Sequence, residues 1–123
     1  MPGETGRQIE AELESLLERC RAADAEIEAC LRTLLVREPF EIDRNDEIVL
    51  LLARAAGEVL DAPARIGGAS YWADSAFIAA AGVTTVVFGP GGEGAHASEE
   101  WVSLSDTETV ASTLIRLATR LCA

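Results

Sequence analysis

Apolar residues at Ile9, Leu13, Leu16, Leu17 and Cys20 recur at helical spacing and predict an amphipathic helix over roughly residues 6–22. Thr5-Gly6-Arg7-Gln8 reads as its capping box, and residues 1–4, with Pro2 and Gly3, as a turn-like lead-in. Glu10, Glu12, Glu14 and Glu18 fall mostly off the apolar stripe and read as a solvated face. The period then changes. Ile27, Ala29 and Leu31 alternate with Glu28, Cys30 and Arg32, while Leu34, Val36, Phe40 and Ile42 continue on the other parity. That pattern predicts a long strand with a bulge near residues 33–35. Pro39 lacks an amide donor and puts the end of this strand at an edge or outside a sheet. One helix and one strand do not bury each other's faces, so this part reads as half of a small α+β sandwich.

Polarity shifts at Asp43-Arg44-Asn45-Asp46, which reads as a linker and a helix start. Ile48, Leu52, Ala55 and Val59 define the next helical stripe, broadened by Leu50 and Leu51, and Asp61-Ala62-Pro63 ends it. A short strand is expected over residues 64–67. An Ala-rich helix is expected to start at Trp72 or Asp74 and to stop at Gly82. Residues 83–88 are a nearly all-apolar strand of the kind buried on both faces of a parallel sheet. Ser105-Asp106-Thr107-Glu108 reads as a second capping box, followed by a helix with Val110, Leu114, Leu117 and Leu121 on its stripe. The helix-strand-helix-strand-helix order predicts an α/β layer.

The composition narrows function by exclusion. A net charge of −11 leaves no basic patch to neutralise phosphates, so a nucleic-acid partner is not expected. The three cysteines, Cys20, Cys30 and Cys122, form no disulfide framework or C-x-x-C motif, and Cys20 on an apolar stripe reads as a buried thiol. These features point to a reducing, cytoplasmic location. The lack of an apolar leader or an 18-residue apolar run points away from membranes.

Candidate chemistry is concentrated in one stretch. The apolar run at residues 83–87 leads into Phe88-Gly89-Pro90-Gly91-Gly92-Glu93-Gly94-Ala95-His96, which holds four of the ten glycines and the only histidine. Glycine lets backbone approach a ligand closely, and imidazole is both the usual acid/base group and the commonest metal ligand. A Gly-rich surface loop with a solvated His is the other reading of the same residues. A phosphate-binding P-loop is excluded, because no Gly-Lys-Ser/Thr ends the glycine run.

The order of residues over 71–102 is more specific. Tyr71-Trp72-Ala73-Asp74-Ser75-Ala76-Phe77 precedes Ala81-Gly82-Val83-Thr84-Thr85-Val86-Val87-Phe88-Gly89-Pro90-Gly91, and then Ala95-His96 is followed by Glu100-Trp101-Val102. This pattern resembles the zinc-dependent deacylases and exopeptidases that include acetylornithine deacetylase, succinyl-diaminopimelate desuccinylase and the glutamate carboxypeptidases. Pro2-Gly3-Glu4-Thr5 and the helix after it resemble that family's lid domain. The resemblance implies two units: residues 1–44 as the closing helix and strand of the lid, or dimerisation, domain, and residues 45–123 as the C-terminal part of the catalytic domain.

The resemblance also implies a pair of divalent metals, usually zinc, and the hydrolysis of N-acyl amino acids or small peptides. Of the metal ligands, only the last falls in this chain, at His96. The family's His-x-Asp motif, bridging Asp and Glu-Glu pair have no counterpart here. One imidazole does not hold a catalytic zinc, which takes about three protein ligands. Gly89 and Gly91 match the loop whose backbone lines the substrate pocket. Asp74 matches a Ser/Thr-Asp position, with Ala73 in place of the hydroxyl residue, and reads equally as a helix N-cap. Glu100 matches the His-x-x-x-Glu spacing, as a carboxylate that orders the loop or the ligand. The expectation is therefore a C-terminal fragment, from a truncated or split gene and inactive alone. Its expected partners are a chain carrying the missing half and a second copy of itself. A non-catalytic association module is the alternative.

Overall fold

The computed structural model describes residues 2–122; Met1, at the start of the lead-in, and Ala123 lie outside the described residues. Helix α1 spans Gly6–Ala23, and the capping box at its start forms in full between Thr5 and Gln8. Residues 27–42 follow with no strand hydrogen bonding. Helix α2 spans Glu47–Leu60, with the Asp46 carboxylate accepting from the Ile48 amide at 3.1 Å. Helix α3 is short, Ser75–Ala80. Strands β1 (Gly92–Glu93) and β2 (Trp101–Val102) form an antiparallel pair, and helix α4 spans Leu104–Leu121.

Helices α1, α2 and α3 fall where local signals place them. Gly82, at φ +84°, ends α3: its amide donates to Ala79 and the Val83 amide to Ile78, the paired bonds of a Schellman stop. The start of α4 differs by two residues. Its cap is Ser103, whose hydroxyl accepts from the Asp106 amide at 3.2 Å, while the Ser105 hydroxyl lies 2.9 Å from that of Ser103. Both serines offer a capping oxygen, and the β2 strand leading into α4 selects the nearer one.

The expected strands over residues 27–42, 64–67 and 83–88 form no ladder among the described residues. A strand is defined by cross-strand hydrogen bonds, and an apolar run with no neighbour to exchange them has none to make. Residues 83–88 nevertheless pack as the pattern suggests on one side. Val86 lies against the core, whereas Val83 and Val87 are exposed.

The core lies between α2 and α4, where Leu52, Ala55 and Leu117 are buried, with Ile48 and Leu51 against them. The buried face of α2 is Val49, Leu52, Ala55 and Ala56: Leu52 and Ala55 lie on the predicted stripe, Val49 and Ala56 just beside it, and the two alanines allow a close crossing. On α4 the buried positions are Leu117 and Thr113, and Leu114 and Leu121 stay exposed. Thr113 is fully buried because its hydroxyl donates to the Thr109 carbonyl at 2.8 Å, so no polar group is left unpaired.

Helix α1 buries no residue. Ile9, Leu13 and Leu16 are exposed and Cys20 is half-buried, so the expected burial of its thiol is corrected; all three cysteines are free. Among the described residues no helix or strand packs over the α1 stripe to cover it. Residues 29–36 lie along one side of α1, held by Arg21 on the Ala29 carbonyl and by the Thr33 hydroxyl on Glu10. No helix among the described residues is long and apolar enough to cross a membrane.

Candidate metal-ligand and substrate loop

The glycine-rich stretch forms a hairpin. Gly92 pairs with Val102 and Glu93 with Trp101, and the intervening loop carries Ala95, His96 and Glu100. A Cβ at Gly92 would run into the Trp101 carbonyl, and one at Gly94 into the Glu99 carbonyl, so the two sides close this tightly only around glycine.

His96 sits third in the turn Gly94–Ala97, closed by the Ala97 amide on the Gly94 carbonyl at 2.8 Å. Its φ is +66°, in the left-handed region that turns of this shape ordinarily give to glycine or asparagine. The side chain is exposed, and no hydrogen bond or ion pair holds it among the described residues. Exposed Glu100 makes no hydrogen bond to His96. The structure thus presents the imidazole at a strained turn with its nitrogens open.

The loop is fastened from behind by a residue whose sequence pattern shows only a helix cap. The Asp106 carboxylate, in the first turn of α4, accepts the Gly91 amide at 3.2 Å, and the Gly91 carbonyl accepts from the Ser103 amide at 2.9 Å. Gly91 therefore spends both backbone groups inside the fold. A Cβ there would meet Asp106 Oδ2 at 2.7 Å. Gly89 differs: an added Cβ would meet nothing within 4 Å, so no internal contact accounts for glycine at this position.

Asp74 is the residue before α3, but its side chain makes no capping hydrogen bond and is exposed. The N-cap reading therefore holds for its backbone position and not for its carboxylate. The neighbouring Ser75 hydroxyl is buried with no hydrogen-bond partner among the described residues. No hydrogen bond or ion pair joins any two of Asp74, Gly89, His96 and Glu100 among the described residues.

A family model described as Peptidase family M20/M25/M40 matches residues 7–120. The chain belongs to this family. Its peptidases are generally metal-dependent hydrolases. No curated relative and no solved structure matches the chain. The match runs from α1 through α4, so the lead helix and the His96 loop belong to one family unit.

Among the described residues no group of three or more His, Cys, Asp or Glu could hold a metal ion, and the sequence has a single histidine. The residues of this chain by themselves do not fit a resident catalytic metal.

Proposed function

We propose that this chain supplies the C-terminal part of a metal-dependent amidohydrolase that cleaves N-acyl amino acids or small peptides. On this reading residues 45–123 belong to the catalytic domain and residues 1–44 to the lid. His96 is one ligand of a zinc site whose other ligands and general base come from outside these 123 residues. Gly89 offers open backbone to the substrate, Asp74 a carboxylate uncommitted to a helix cap, and Glu100 a partner for loop or ligand; Gly91 contributes a fixed position.

The observation that supports this best is the φ of +66° at His96. A residue with a Cβ costs roughly 1–2 kcal/mol in that region. Strain of this kind, at a side chain with no internal partner among the described residues, fits a group positioned for something external. Complementation tests it. The chain alone is expected to hydrolyse no N-acetyl amino acid with zinc, cobalt or manganese. Supplied in trans with the N-terminal portion of a family enzyme and metal, it restores turnover, and His96→Ala removes most of that. Full activity of the His96→Ala complex would mean that His96 binds no metal.

The open α1 stripe supports a second reading, an association module that joins two copies. Sedimentation of the chain as a folded monomer at micromolar concentration counts against it.

A further inference from the structure

One peptide plane in the glycine-rich loop has its direction fixed. The Gly91 N–H donates to the Asp106 carboxylate at 3.2 Å, and the Gly91 carbonyl accepts from the Ser103 amide at 2.9 Å, so the residue is tied on both sides. No peptide bond among the described residues is cis. In a trans peptide, the N–H of one residue and the C=O of the residue before it point in opposite directions. Drawing the Gly91 N–H in towards α4 therefore turns the Pro90 carbonyl away from α4. Pro90 is exposed, and its carbonyl makes no hydrogen bond among the described residues. The proline ring fixes φ and removes the amide donor, so Pro90 offers an acceptor alone. The Phe88 and Gly89 carbonyls are also unpaired there, but no hydrogen bond pins their peptide planes.

We propose that Asp106 is a positioning residue that holds the Pro90 carbonyl as the acceptor for the substrate's amide N–H. The inference rests on the functional reading above and adds which group of this chain recognises the amide. An N-acyl amino acid with an apolar side chain carries a single N–H once its carboxyl group is ionised, and its other polar atoms are acceptors. Enclosed without an acceptor, that N–H is left unpaired, which costs binding. The Pro90 carbonyl meets it with little ordering cost, because Asp106 and the proline ring have already set its direction. Asp106 touches no substrate in this arrangement. It acts through the Pro90–Gly91 peptide plane, so another acceptor of the same reach, such as asparagine, serves in its place.

The test compares an N-acetyl amino acid with its ester isostere, the O-acetyl α-hydroxy acid, which has oxygen where the amide has N–H. Both are given to the metal-loaded complex of this chain with the N-terminal portion of a family enzyme. In Asp106→Ala the KM of the amide relative to that of the ester should rise about tenfold, the size of one hydrogen bond, and Asp106→Asn should bring it back. Asp106→Ser, which keeps an oxygen at the helix start but is too short to reach Gly91, is the second variant, with the same expectation as alanine. A further readout needs no turnover: in the chain alone the Gly91 amide should exchange with solvent about tenfold faster in Asp106→Ala, while the amides of α2 keep their protection. Equal losses on amide and ester overturn the inference and leave the functional reading standing, since Asp106 would then serve stability alone. Unchanged Gly91 exchange overturns it as well. A complex that turns over neither compound overturns the functional reading, and this inference with it.

Discussion

The Gly91 amide donates to the Asp106 carboxylate at 3.2 Å, and that bond ties the glycine-rich loop to the first turn of α4. Charge-assisted bonds of this kind are stronger than neutral ones. The carboxylate also sits at the positive end of the helix dipole. It thereby stabilises helix and loop together, and it holds the base of the hairpin while His96 projects from the far end.

Asp106→Ala is expected to lower stability by about 1–2 kcal/mol, from one hydrogen bond to a charged group lost at an exposed site. Asp106→Asn keeps an acceptor and should recover part of it. Chemical denaturation of the three proteins measures the order, which fails if Asn is no better than Ala.

Position 96 separates backbone strain from side-chain loss. At φ +66° alanine pays for its Cβ and glycine does not. His96→Gly should therefore be more stable than His96→Ala by about 1 kcal/mol, the reverse of the usual ranking in regular structure. Equal melting temperatures would show a turn that relaxes out of the left-handed region.

Glu58 joins the two core helices. Its carboxylate meets Arg120 at 2.6 Å, Arg116 at 3.7 Å and, on its own helix, Arg54 at 3.3 Å. The Arg120 hydrogen bond, opposed by some desolvation and aided by the charge of Arg120 and by Arg54, holds its pKa below the usual carboxylate value. A depressed folded-state pKa contributes stability above the unfolded value and loses it as pH falls through the folded one. The contribution should be complete at neutral pH, begin to fall once pH drops to the unfolded carboxylate value of about 4.3, and be gone only below the lowered folded one. Thermal unfolding of wild type and Glu58→Gln across that range should differ at pH 7 and converge in acid.

The α2–α4 crossing depends on small residues. Ala55 is fully buried, so Ala55→Leu should overpack it and cost about 1–3 kcal/mol. Leu117→Ala, which opens a cavity in the same cluster, should cost about 2–5 kcal/mol. The double variant is the informative one, because a leucine that fills the space left by Leu117 makes the costs less than additive. Strict additivity would place the two residues in separate environments.

What the sequence determined by itself is what neighbours along the chain settle. The Thr5–Gln8 box, the Asp46 cap and the Gly82 stop each involve residues within a few positions, and each appears where the pattern puts it. The loop bearing His96 was legible for the same reason, since glycines and one imidazole are compositional facts. Tertiary structure decided the rest. Ser103 rather than Ser105 caps α4 because β2 delivers the chain there. Thr113 takes a core position that periodicity gave to Leu114, because helix rotation follows the partner helix and a threonine hydroxyl can satisfy itself on its own backbone. Asp106 belongs to the loop only through a bond fifteen residues long, and Arg37 meets Trp72 only once the chain has turned back on itself. Residues 27–42 and 83–88 carry strand patterns without strand hydrogen bonds, because side-chain alternation is written in one segment and a ladder needs two.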